Sequence, residues 1–166
     1  GNSGLMGVLA DSALDAGGAV IGVIPEQMVA KELAHMKLTE LHRVGSMHER
    51  KLKMAELADA FVALPGGIGT MEEIFEAFTW TQLGLHSKPC AFLDVEQYYA
   101  RLFQFLDHMA EQRFIKPEHL ACLIRGDDPR ELLIKLRQFT PAATEKWLDR
   151  KPNKPGRPAK GAARSG

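Results

Sequence analysis

The chain has 166 residues, a net charge of zero, 45% hydrophobic and 25% charged residues, and only two cysteines. That length suits one domain with a sizeable core, and no apolar stretch approaches the roughly 20 residues a membrane-spanning helix needs. Cys90 and Cys122 sit in apolar runs and the six histidines are scattered, which excludes a disulfide scaffold, gives no metal site and reads as a cytoplasmic protein with reduced thiols.

Gly1-Asn2-Ser3-Gly4-Leu5-Met6-Gly7 is a glycine-rich loop running into a helix. The helix is expected from Gly4 to Ala16, with Leu5, Val8, Leu9 and Ala13 facing inward and Gly17-Gly18 ending it. The segment reads as the second half of a strand–loop–helix unit, so the chain is expected to be a fragment lacking that strand. Ala19 to Ile24 is an apolar run stopped by Pro25, the pattern of a buried parallel strand. Gln27 to Lys37 reads as a loop with a helical turn, Glu40 to Val44 alternates like a short strand, and Met47 to Leu57 has helical periodicity.

The run Ala60-Phe61-Val62-Ala63-Leu64 is the next strand, followed at once by Pro65-Gly66-Gly67-Ile68-Gly69-Thr70-Met71-Glu72-Glu73. A helix is expected from Thr70 to Gln82 with Ile74, Ala77, Phe78 and Thr81 inward. Cys90 to Leu93 is a buried strand, Tyr98 to Gln112 a helix, Ala121 to Ile124 a short strand and Pro129 to Gln138 an amphipathic helix. From Arg150 onward there are six basic residues and no acidic one, leaving residues 1–149 at a net charge of −6. We read 1–140 as the folded domain and 141–166 as a basic, Pro/Gly/Lys-rich disordered tail. The tail is a solvated extension on this reading; no aromatic residue is interleaved to support nucleic-acid binding.

Apolar strands alternating with helices predict an α/β fold, a parallel sheet covered by helices on both faces. Ligands bind such sheets at the carboxyl ends of the strands, so the two glycine-rich segments are expected to form two walls of one crevice. A strand–glycine turn–helix unit aims unpaired backbone N–H groups at one point, where an anion binds, and the glycines allow close approach and positive φ. The same residues also fit a capping box, with Thr70 as the cap and Glu73 reaching back to it. Three glycines exceed what a cap requires, and the string is not a dinucleotide fingerprint, because Glu72 stands where its third glycine would be.

Met47, Arg50, Lys51 and Met54 share one face of the preceding helix. Such a face is commonly a solvated basic surface. Methionines on both sides of Arg50, however, imply partial burial, and a buried arginine takes an anion, commonly a phosphate or carboxylate. The excess of large apolar residues at Phe75, Phe78, Trp80, Tyr98, Phe103 and Phe105 points to a homodimer rather than a thick monomer core, with Phe75 the clearest surplus.

Together these segments resemble the LOG (Lonely Guy) family of cytokinin riboside 5′-monophosphate phosphoribohydrolases, many of which carry the older label "possible lysine decarboxylase". The resemblance rests on Pro65, Gly66, Gly67, Gly69, Thr70 and Glu73. It extends to Met47, His48, Arg50, Lys51 and Met54, to Gly4-Leu5-Met6-Gly7, to Thr79–Pro89 and to Tyr98-Tyr99. It implies a Rossmann-like, dimeric fold in which an N-terminal strand–helix–strand unit precedes this chain's first glycine turn. It also implies hydrolysis of a purine or cytokinin nucleoside 5′-monophosphate to free base and ribose 5-phosphate, with no cofactor. Arg50 and Glu73 match the catalytic pair, and Gly66, Gly67, Gly69 and Thr70 the phosphate turn. Gly4, Met47, Lys51 and Pro65 complete the implied substrate contacts. A non-catalytic nucleotide-binding module is the alternative. A decarboxylase would require a Schiff-base lysine, and Lys88 lacks any accompanying cofactor motif.

Overall fold

The computed structural model describes residues 4–29 and 37–141. Helix α1 (Gly4–Asp15) leads to β1 (Ile21–Pro25), the single turn α2 (Glu26–Val29) and β2 (Glu40–Val44). Next come α3 (Met47–Leu57), β3 (Phe61–Ala63), α4 (Ile68–Gln82), β4 (Cys90–Leu93) and a 3₁₀ turn at Val95–Gln97. The order closes with α5 (Ala100–Glu111), the short α6 (Pro117–Leu120), β5 (Leu123–Gly126) and α7 (Pro129–Gln138). Most of the expected tail, residues 142–166, lies outside the described residues, as does most of the loop expected over 27–37.

Every strand pairing is parallel, in keeping with the expected Rossmann-like α/β class. Ile21 to Pro25 lie opposite Glu40 to Val44, Phe61 to Ala63 opposite Cys90 to Phe92, and Cys90 to Leu93 opposite Leu123 to Gly126. The expected single sheet, however, is two: β1-β2 and β3-β4-β5 share no ladder. Between them a cavity of about 380 Å³ is walled by Ile21 and Val23 on one side and Phe61, Val62 and Ala63 on the other. A slot edged by two parallel strands is where a further strand would have paired both edges.

Local chemistry sets the helix ends. Ser46 Oγ accepts from the Glu49 N–H at 3.1 Å, and Glu49 reaches back to the Gly45 N–H at 2.7 Å, so α3 starts at Met47. Asp128 accepts from the N–H groups of Arg130 and Glu131 ahead of Pro129, the first residue of α7. The last strand begins at Leu123 rather than Ala121, because α6 and the turn Ala121-Cys122 occupy the preceding residues.

The core centres on β4, which is buried along its whole length as the middle strand of its sheet. Phe92 is 0% exposed, with the rings of Tyr99, Phe103 and Phe75 at 4.7, 5.7 and 6.0 Å between centroids. Phe75 is therefore core, not the surplus expected from its place beside the Ile74–Ala77–Phe78 stripe; the wide face of α4 accommodates both. On the other face, Leu132 of α7 packs with Ala91 and Leu93. The expected inner face of α1 is corrected as well: Leu5, Val8 and Leu9 are exposed and only Gly7 is buried. The helix stands off β1, and an apolar cavity of about 470 Å³ separates Met6, Leu9, Ala10 and Ala13 from the strand.

Basic side chains tie the two halves. Lys88, just before β4, donates to the carbonyls of Ala55 and Glu56 in the last turn of α3, satisfying acceptors that the helix leaves unpaired.

Burial pushes the Cys90 thiol up to about 11, with the Thr81 hydroxyl opposing the shift. Iodoacetamide at mildly alkaline pH is therefore expected to leave Cys90 unmodified in the folded protein and to reach it after denaturation. Equal labelling of Cys90 before and after denaturation, by peptide mass spectrometry, contradicts this burial.

Candidate active site

The turn after β3 departs from the capping reading. Helix α4 begins two residues before Thr70, with Gly67 in the cap position and no side chain capping it. The first intrahelical bond runs from the Met71 N–H to the Gly67 carbonyl at 3.2 Å. The N–H groups of Ile68, Gly69 and Thr70 precede it and face out of the helix end. Thr70 instead folds back on the turn: a Cβ on Gly66 would overlap its Oγ1, so Gly66 is required for close approach. The turn glycines do not adopt positive φ. A Cβ on Gly67 or Gly69 would meet nothing within 4 Å. The fold therefore needs no glycine at either place, and their open faces lie at a positive helix end suited to an anion.

Glu73, one turn into α4, is freed from capping and accepts from Arg50 Nη1 of α3. The arginine side chain is 11% exposed and the glutamate 33%. Arg50 Nε also donates to the Val23 carbonyl at 3.3 Å, on the edge of β1 that no strand pairs. The expected buried arginine with an anionic partner is present, and the anion is Glu73. Glu73 and Thr70 line the 380 Å³ cavity between the sheets, while Arg50 lines the apolar cavity under α1, so the pair sits where the two spaces meet.

Lys51 does not face that space. Its Nζ bridges Glu72 at 2.6 Å and Glu76 at 2.9 Å, and those hydrogen bonds raise its pKa above 10.5. Lys51 thereby forms a latch between α3 and α4. Glu72, next to Glu73 in sequence, is turned to this outer side. Met47, at the exposed start of α3, and Gly4, at the start of α1, are not among the described residues that line the cavity at Glu73. The two glycine-rich segments do converge: Leu5 shares with Leu64, Pro65, Leu93, Val95, Glu96 and Tyr98 the wall of an open space of about 520 Å³.

Two hydroxyls hold the turn from the far side. Tyr98 donates to the Gly66 carbonyl at 2.8 Å, and Tyr99 donates to the Leu64 carbonyl. Burial raises the Tyr99 pKa, which keeps that hydroxyl a donor. The sequence presented Tyr98 as part of an apolar surplus and Tyr98-Tyr99 as a resemblance, and neither reading gave the two hydroxyls their place on the turn. Sequence reasoning missed the acidic stripe Glu72-Glu73-Glu76, whose i, i+3/i+4 spacing complements Arg50-Lys51 and was the available signal.

A protein family described as "Possible lysine decarboxylase" matches residues 6–136. The chain belongs to this family. A cytokinin riboside 5′-monophosphate phosphoribohydrolase of Rhodococcoides fascians is 58% identical over 115 residues, covering 69% of this chain and 58% of the relative. A probable enzyme of the same name from Oryza sativa subsp. japonica is 45% identical over 141 residues, covering 85% and 62%. One from Arabidopsis thaliana is 42% identical over 141 residues, covering 85% and 66%. The chain thus spans about three fifths of the length of these curated relatives.

The glycines of this lysine-decarboxylase-family turn make separable demands. Gly66→Ala is expected to cost about 1–3 kcal/mol, because Thr70 must shift. Gly69→Ala is expected to keep or slightly raise Tm, since alanine favours the helix over glycine, and Gly67→Ala, at the non-helical cap position, to lower it slightly, while both weaken phosphate binding. Calorimetry with ribose 5-phosphate checks this; full affinity in both open-face variants contradicts an anion seat there.

Proposed function

We propose that this protein hydrolyses the N-glycosidic bond of a purine or cytokinin nucleoside 5′-monophosphate, releasing free base and ribose 5-phosphate. The observation that carries the reading is the uncapped N terminus of α4, open at Gly67 and Gly69, one helical turn from the Arg50–Glu73 pair. The names of the relatives point to the same reaction.

In this reading the 5′-phosphate sits on the N–H groups of Ile68, Gly69 and Thr70, beside the hydroxyl of Thr70. The ribose then lies over the first turn of α4, with its anomeric carbon towards Glu73. As the bond to the base breaks, positive charge develops on the sugar ring, and a carboxylate there stabilises it or attacks it. Water supplies the oxygen at the anomeric carbon and the base leaves with a proton. Arg50 orients the carboxylate through its guanidinium, itself anchored on the Val23 carbonyl, and is near enough to the helix end to share in neutralising the phosphate. The sites proposed at Gly4, Met47 and Pro65 are at most peripheral to this arrangement, and Lys51 acts through the α3–α4 contact.

The working unit in this reading is a cytoplasmic homodimer whose folded domain ends near residue 140, the basic tail being dispensable. Ile68, Leu85, Phe105 and Phe114 remain exposed and are the side chains available to an interface, in place of Phe75 and Phe78. Among the described residues no helix is long and apolar enough to cross a membrane.

Incubation with AMP is expected to release adenine, whereas adenosine, lacking the phosphate, is left intact. Comparable turnover of the two sinks the phosphate-seat reading, and binding of AMP without base release assigns a non-catalytic nucleotide-binding module instead. Glu73→Gln keeps the size and hydrogen-bonding capacity but removes the charge, and is expected to lower kcat at least about a hundredfold. Near-normal turnover by that variant removes Glu73 from the chemistry.

A further inference from the structure

After β4, two consecutive residues adopt left-handed backbone although neither is glycine: Glu96 has φ 52° and Gln97 φ 59°. Each costs about 1–2 kcal/mol relative to the right-handed region, so the surrounding structure must over-determine the turn. Asp94 does this from both ends. Its N–H donates to the Gly126 carbonyl at 2.7 Å, and its carboxylate accepts from the Tyr99 N–H at 2.6 Å. Strain held in this way points to a positional requirement.

The strained turn delivers Tyr98 over the glycine turn. Tyr98 is 57% exposed, so burial of its ring does not account for where it sits. Its ring meets Tyr99 edge-to-face, 4.9 Å between centroids, and its hydroxyl makes the hydrogen bond to the Gly66 carbonyl. In a planar trans peptide the carbonyl of one residue and the N–H of the next point in opposite directions. Holding the Gly66 carbonyl towards Tyr98 therefore turns the Gly67 N–H away from it, at a residue whose face is open. Tyr99 grips the turn two residues earlier, donating to the Leu64 carbonyl, and takes a backbone hydrogen bond from Gly66, but the residue after Leu64 is Pro65, which has no N–H to aim, and neither contact holds the 66–67 peptide.

We propose that Tyr98 is a positioning residue for phosphate recognition: its hydroxyl fixes the 66–67 peptide so that the Gly67 N–H joins those of the α4 N terminus in holding a phosphate monoester. The inference deepens the hydrolase reading and rests on it for the identity of the anion. Tyr98 touches the turn and not the reacting atoms, so its removal acts on binding.

The test compares Tyr98→Phe and Tyr99→Phe with the unaltered protein, using ribose 5-phosphate in calorimetry, AMP in steady-state kinetics, and thermal unfolding. Loss of one neutral hydrogen bond predicts, for Tyr98→Phe, about three- to tenfold weaker ribose 5-phosphate binding. The KM for AMP rises by the same factor, with kcat little changed and Tm close to that of the unaltered protein. Tyr99→Phe, at a buried position, is expected to lose more Tm and less affinity. Unchanged ribose 5-phosphate affinity in Tyr98→Phe, or a loss of Tm and kcat without a loss of affinity, overturns the proposal. If the unaltered protein binds ribose 5-phosphate but releases no adenine from AMP, the hydrolase reading fails, and the affinity comparison still decides the role of Tyr98.

Discussion

The ion pair between Arg50 and Glu73 joins two parallel sheets that share no backbone ladder. Arg50 stands on α3, which packs on β1 and β2; Glu73 stands on α4, which packs on β3 and β4. The arginine also holds the free edge of β1 through the Val23 carbonyl. Both partners are partly withdrawn from water, so removing either leaves an uncompensated charge in a low-dielectric setting, a far larger perturbation than loss of a surface pair. Lys51 with Glu72 and Glu76, and Lys88 with the end of α3, reinforce the same junction. The contact that aligns the halves is thus also the contact that presents the carboxylate.

That coincidence shapes the chemistry available. Glu73 stands one turn into α4, within about 10 Å of the positive end of that helix. A phosphate bound at that end places the rest of a nucleotide over the carboxylate without further machinery. The glycine turn is held from both sides: Thr70 closes on Gly66 from the helix, and the Tyr98 hydroxyl closes on its carbonyl from the opposite wall. The faces of Gly67 and Gly69 are left open.

Much of this was legible in the chain. Glu40–Val44, Met47–Leu57, Cys90–Leu93 and Pro129–Gln138 have the observed boundaries of their elements, because their ends carry local signals: Ser46 and Glu49, Pro89, Asp128 and Pro129. The pairing of Arg50 with an anion followed from methionines flanking it. What was not legible depended on tertiary placement. Whether Thr70 caps a helix depends on where the helix starts, and the first bond is taken by the Gly67 carbonyl, three residues before the Thr70 that the hydroxyl pattern indicates. Phe75 lies off the narrow stripe of α4, yet Phe92 at the centre of the sheet reaches it. The two left-handed residues Glu96 and Gln97 have no local signature; the Asp94, Gly126 and Tyr99 contacts that hold them come from different elements. The slot between β1 and β3 has no signal in these residues, since both bordering strands read as ordinary buried runs.

A crystal structure of the protein with ribose 5-phosphate tests the central claim most directly. The account predicts the phosphate oxygens within hydrogen-bond distance of the N–H groups of Ile68, Gly69 and Thr70, and the anomeric carbon facing the Glu73 carboxylate with Arg50 still in contact with it. A sugar phosphate bound away from the α4 N terminus, or seated there with its anomeric carbon turned away from Glu73, contradicts it.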